Sequence, residues 1–67
     1  MMKNRIKECR ISEGMSRAEL GKLVGLSDKA IAHYENGIRE PKLATLEKLA
    51  AVFGVNPAYL VGWIDHE

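Results

Sequence analysis

The sequence predicts an all-α fold, a compact domain of five short helices. Apolar residues recur at three- and four-residue spacings along most of the chain, the period of a helix with one buried face. Gly14, Gly25, Gly37, Gly54 and Gly62 fall where these patterns stop, and a glycine just past a helix end is a common terminator. No segment alternates apolar and polar residues over strand length, so no sheet is expected. A chain of 67 residues, 46% hydrophobic and 28% charged, supports one core and a solvated surface, and is neither disordered nor fibrous.

The first segment runs from Lys3 to Glu13, with Met2, Ile6 and Cys9 on one stripe and Lys3, Arg5, Lys7 and Glu8 on the other faces. The second opens with Ser16-Arg17-Ala18-Glu19, a capping box in which the serine hydroxyl and the glutamate each take an orphan N–H. Met15 is placed to staple against Leu20, while Leu20, Leu23 and Val24 form the expected buried stripe up to Gly25. The third segment, Asp28 to Glu35, is capped by Ser27. Ile31 and Tyr34 point one way along it; Asp28, Lys29, Ala32 and His33 point another. Ile38 to Pro41 reads as an exposed loop. The fourth helix starts at Lys42 or Leu43 and ends at Phe53, with Leu43, Leu46, Leu49, Ala50 and Phe53 as its stripe. Asn56 and Pro57 open a short fifth helix through Val61. The domain is taken as residues 1–62, with 63–67 as a tail or the start of a linker.

Only Gly25-Leu26-Ser27 separates the second and third helices. So short a link brings them together at a steep angle. The crossing needs a small residue where one helix passes over the other, and Gly21 fits that need. A glycine inside a helix otherwise costs about 1 kcal/mol against alanine. Leu20, Val24, Leu26, Ile31 and Tyr34 would fill the wedge between the two helices.

Other classes find no support. Ten Lys and Arg against nine Asp and Glu give a net charge of +1, so the total does not announce a nucleic-acid partner; only placement of charge could. Cys9 is the one cysteine, which excludes an intrachain disulfide, and no Cys/His spacing suits a metal. Cys9 itself reads as a small core hydrophobe, with a redox switch as the sharper alternative. No apolar run reaches the roughly 18 residues of a membrane span, and no signal peptide is read at the N-terminus. No convergent acid, base and nucleophile appears. The expectation is a cytoplasmic non-enzyme with no cofactor, no membrane association and no small-molecule substrate.

Leu20-Gly21, Gly25-Leu26-Ser27, Ile31, Tyr34-Glu35-Asn36-Gly37 and Arg39-Glu40-Pro41 resemble the phage Cro/repressor-type (XRE family) helix-turn-helix domain. Leu46-Glu47-Lys48-Leu49-Ala50, Phe53-Gly54-Val55, Asn56-Pro57 and Tyr59-Leu60-Val61-Gly62 continue the pattern, so the resemblance spans about residues 6–62. It implies a lambda-repressor-like five-helix domain that binds double-stranded DNA. The third helix would enter the major groove, and the second would lie across it with its N-terminus at a phosphate.

On the outer face of the third helix, Lys29 is the candidate for guanine O6 and N7, or else a phosphate ligand or a solvated lysine. His33 is a candidate for a base edge or a phosphate, or a plain surface histidine. Ala32 offers a methyl to a thymine methyl, or fills the helix. Asp28 could accept from cytosine N4, or serve the helix dipole in the first turn. Arg17 stands where the family usually has a phosphate-binding glutamine, and an arginine can replace it with a charge-assisted bond. Asn36, Arg39 and Lys42 would track the same backbone, and Ser27 would add a phosphate contact beside its role as a cap. The resemblance also implies a salt bridge between Arg10 and Glu35 that fixes the recognition helix. Arg17, Lys29, Arg39 and Lys42 could then share one face, with Glu8, Glu13, Glu47, Asp65 and Glu67 elsewhere.

One recognition helix reads few base pairs, so a homodimer on a palindromic operator is expected, with repression as its effect. Tyr59, Val61, Trp63 and Ile64 are the interface candidates. The alternative for Trp63 or Ile64 is to fold back over Met2 and Ile6. At the level of function, the alternative is an antitoxin-like protein-interaction module of the same fold.

Overall fold

A computed structural model describes residues 4–66. The expected roles of Met2, Lys3 and Glu67 lie outside the described residues. Among those described, the chain forms five helices and no strand: α1 (Ile6–Ser12), α2 (Arg17–Val24), α3 (Asp28–Glu35), α4 (Leu43–Phe53) and α5 (Pro57–Leu60).

α1 is shorter than its apolar period suggests. The Asn4 carboxamide oxygen accepts the Ile6 N–H at 3.1 Å, while its nitrogen donates to the Tyr34 carbonyl at 2.8 Å. The Arg5 N–H donates to the Leu60 carbonyl at 2.8 Å. Backbone and side chain before Ile6 are thus committed to α3 and α5 rather than to another helical turn.

The other helix ends follow local chemistry. The Glu19 N–H donates to Ser16 Oγ at 3.1 Å, and the Ser16 N–H donates to Glu19 Oε1 at 2.9 Å, closing the capping box. Gly25 and Gly54 end α2 and α4 at φ +74° and +68°, the left-handed region where a side chain is strained. Asn56 accepts the Ala58 N–H at 2.8 Å, with Pro57 as the first residue of α5.

The Ser16 backbone N–H, helped by the Ser16 hydroxyl, holds the Glu19 carboxyl below the ordinary glutamate range. A lowered folded-state value contributes stability above the unfolded value and loses it as pH falls through the folded one. The Tm gap between wild type and Glu19→Gln should therefore narrow below about pH 5. Thermal melts across the acid range check this; a gap independent of pH would remove the carboxylate from the cap.

Ile6, Leu20, Val24, Ile31, Tyr34, Leu49, Ala50 and Leu60 form the core, so every helix contributes. Cys9, Met15, Leu26, Leu46, Val52, Phe53 and Val55 pack around it half-buried. Two expected core residues are not in it: Leu23 is 61% exposed and Leu43 69%. In α2 the buried residues are Leu20, Gly21 and Val24. With about 100° between successive residues, packing on Gly21 turns Leu23 away from the core. Leu43 lies on the α4 stripe, but it opens the helix beyond the edge of the core.

Candidate nucleic-acid interface

The site is built on the crossing of α2 and α3. A Cβ on Gly21 would fall onto the Leu26 carbonyl oxygen and within 3.3 Å of the Ser27 carbonyl carbon. The Leu26 N–H donates to the Gly21 carbonyl at 2.8 Å. The turn therefore passes directly over Gly21, and only hydrogen fits there. Ser27 Oγ accepts the Ala30 N–H at 3.0 Å and opens α3. Ile31 and Tyr34 are buried beneath α3.

The outer residues of α3 remain accessible. Asp28 and Lys29 are exposed, and Ala32 and His33 are half-buried. Asp28 Oδ1 accepts the Lys29 N–H at 2.9 Å, which places the acid on the positive end of its own helix. Asn36 is exposed at the far end of α3, where its N–H donates to the Ala32 carbonyl at 3.0 Å. The His33 carbonyl accepts the N–H of Ile38 at 3.0 Å and of Arg39 at 3.3 Å, folding the following loop against the last turn. Arg39 and Lys42 are exposed, and Lys42 is the first residue outside α4. Glu8 and Glu13 line a separate groove with Cys9, Phe53, Val55 and Tyr59.

Arg10 and Glu35 form an ion pair, Nε to Oε2 at 2.6 Å. The pair is larger than the family pattern suggests, because Arg17 Nε also donates to Glu35 Oε1 at 3.0 Å. The Glu35 side chain has no exposed surface. Arg10 Nη1 donates to the Met15 carbonyl at 2.8 Å, tying in the link between α1 and α2. One carboxylate thus joins three helices.

Arg5 is a residue that helical periodicity assigns only to a solvated face. Its guanidinium lies 4.2 Å from the Tyr59 ring centroid, a cation–π contact. Nη1 donates to the Tyr59 and Ile64 carbonyls at 2.6 and 2.7 Å, and Nη2 reaches Asp65 at 3.2 Å. The tail is therefore pinned to the start of α1. Tyr59, Val61 and Ile64 are half-buried, while Trp63 is 76% exposed. Trp63 borders an apolar cleft with Ile6, Leu43, Leu46 and Val61. Among the described residues, no cluster suits a metal ion and no helix is long and apolar enough to cross a membrane.

Two helices crossed on a glycine, the second with an accessible polar outer face, define a helix-turn-helix domain. A helix-turn-helix family model matches residues 6–60. Over 61 residues the chain is 36% identical to YonR, an uncharacterized SPbeta prophage-derived HTH-type transcriptional regulator of Bacillus subtilis (strain 168), covering 91% of this chain and 56% of that one. It is 34% identical to the cryptic phage CTXphi transcriptional repressor RstR of Vibrio cholerae, covering 91% and 55%. The chain spans about half the length of these curated relatives. The P22 c2 repressor, solved in complex with a synthetic operator, superposes with a TM-score of 0.84 at 33% identity, covering 90% of this chain and 91% of that one. The chain belongs to the helix-turn-helix family, among the phage-repressor-type (XRE) domains.

Proposed function

We propose that this protein is a sequence-specific DNA-binding transcriptional regulator that represses as a homodimer on a palindromic operator. The observation that carries the reading is the close crossing of α2 and α3 on Gly21, which leaves the outer face of α3 accessible. Asp28, Lys29, Ala32 and His33 face the bases, with Lys29 the main reader of guanine. Arg17, Ser27, Asn36, Arg39 and Lys42 hold phosphates and set the register. The likeness to a repressor bound to an operator supports this docking. Tyr59, Val61, Trp63 and Ile64 form the dimer end. The exposed Trp63 and Leu43 beside one cleft support that assignment, and two-fold symmetry would space the half-sites about 34 Å apart. Residues 1–62 make up the DNA-binding unit, acting in the cytoplasm, and 63–67 are its tail or the start of a linker.

Fluorescence anisotropy with a randomised palindromic duplex library, at two salt concentrations, tests the reading. One half-site motif should be selected, affinity should fall steeply with salt, and Lys29→Ala should relax the preference at one base pair at a cost of about 1–3 kcal/mol. Sedimentation of the same sample should show a dimer that Trp63→Ala shifts toward monomer. Weak binding without a motif, from a sample that sediments as a dimer, would favour an antitoxin-like module that binds a protein instead.

A further inference from the structure

We propose that Glu35 is a positioning residue for DNA binding: it holds Arg17 by Nε and leaves the two terminal Nη groups as a preset clamp for one backbone phosphate. The inference rests on the DNA-binding reading above. Two guanidinium groups share the buried Glu35 carboxylate, so two positive charges and one negative leave one positive charge in excess.

That excess falls to Arg17. Arg10 is only 12% exposed, and its nitrogens serve Glu35 and the Met15 carbonyl. Arg17 is 38% exposed, and its bond to Glu35 is made by Nε alone. A guanidinium is a planar fork of five N–H donors. Fixing Nε sets that plane, and the Nη1/Nη2 edge then matches two oxygens of a phosphodiester. Arg17 is also the first residue of α2, where the helix dipole favours an anion. Because the buried carboxylate orders the side chain in advance, DNA does not have to order it on binding.

A glutamate beside a DNA-contacting arginine would by simple charge counting weaken binding. Here its burial removes it from the phosphates, while its bond to Nε aims the cation at them. Lysine cannot reproduce this, because its single ammonium cannot pair with Glu35 and also present a second, planar edge.

The test uses a mixed-sequence DNA duplex of about 30 base pairs, so no operator need be known. Binding of wild type, Arg17→Gln and Arg17→Lys is followed between about 50 and 200 mM salt, with thermal melts to show that each variant is folded. Arg17→Gln, which keeps a neutral amide donor but loses the charge, should bind several-fold more weakly at low salt and lose about 0.9 per bound chain from the slope of log K against log salt. Arg17→Lys should keep the wild-type slope yet bind several-fold more weakly. An unchanged slope in Arg17→Gln would show that Arg17 holds no phosphate. Wild-type affinity in Arg17→Lys would show that Glu35 does not aim it. If the wild-type protein bound no duplex even at low salt, the DNA-binding reading itself would fall, a result distinct from either of these.

Discussion

Replacing Glu35 with alanine should lower the Tm by roughly 12–24 °C, taking about 3 kcal/mol for an uncompensated buried charge and about 4–8 °C per kcal/mol for a domain of this size. The carboxylate is wholly buried and shared by Arg10 and Arg17. Its removal leaves Arg10, itself almost fully buried, with a charge that water reaches poorly and no anion to oppose it. The remaining Arg10 bond to the Met15 carbonyl does not neutralise that charge. A domain of this size rarely has more than about 3–5 kcal/mol to lose, so a large share of the variant should be unfolded near body temperature. Arg17→Ala is the internal comparison. Arg17 is more than a third exposed, so its pairing is screened and its loss should cost at most about 1 kcal/mol. Circular dichroism melts of both variants measure the difference. A Glu35→Ala protein that melts with the wild type would remove the cluster from any structural role.

Gly21→Ala sets two effects of opposite sign against each other. Helix propensity alone favours alanine by about 1 kcal/mol. The new Cβ, however, would meet the Leu26 carbonyl oxygen at far less than van der Waals contact. The obstacle is backbone rather than a movable side-chain tip. The turn cannot retreat without breaking the Leu26 N–H bond to Gly21 or disturbing Ser27 as the cap of α3. Overpacking of this kind costs about 1–3 kcal/mol, and more where nothing can give. The steric term should win, with a lower urea midpoint and a changed α2–α3 angle. DNA affinity should then fall by more than the loss of stability explains. A midpoint higher than wild type would mean that propensity decides and that the helices do not meet at Gly21.

Much of the fold was legible because it is local. Ser16 with Glu19, Ser27, Gly25, and Asn56 with Pro57 mark helix ends through bonds that span at most four residues. Their geometry follows from residue type and spacing. Gly21 was legible for a related reason. A three-residue link dictates a close crossing, and the sequence offers one small residue at the right distance.

What periodicity could not settle was the rotation of short helices. An eight-residue helix carries too few apolar positions to define its buried face, so Leu23 and Gly21 competed for the inward side of α2. Contact with the α2–α3 turn decided for Gly21.

The sequence by itself determined five helices, the capping side chains that open α2, α3 and α5, the glycine crossing and the side of α3 left outside the core. Beyond the Arg10–Glu35 pair that the resemblance implied, tertiary structure alone decided which distant polar groups meet. Arg17 joins Glu35 across 18 positions, Asn4 reaches Tyr34 across 30, and Arg5 binds Asp65 across 60. Nothing in local spacing encodes such pairs, because long flexible side chains choose partners only after packing has fixed where each helix end lies. The candidate site divides the same way: its residue types stand in the sequence, but the anchoring of Arg17 by a buried carboxylate exists only once α1, α2 and α3 have come together around it.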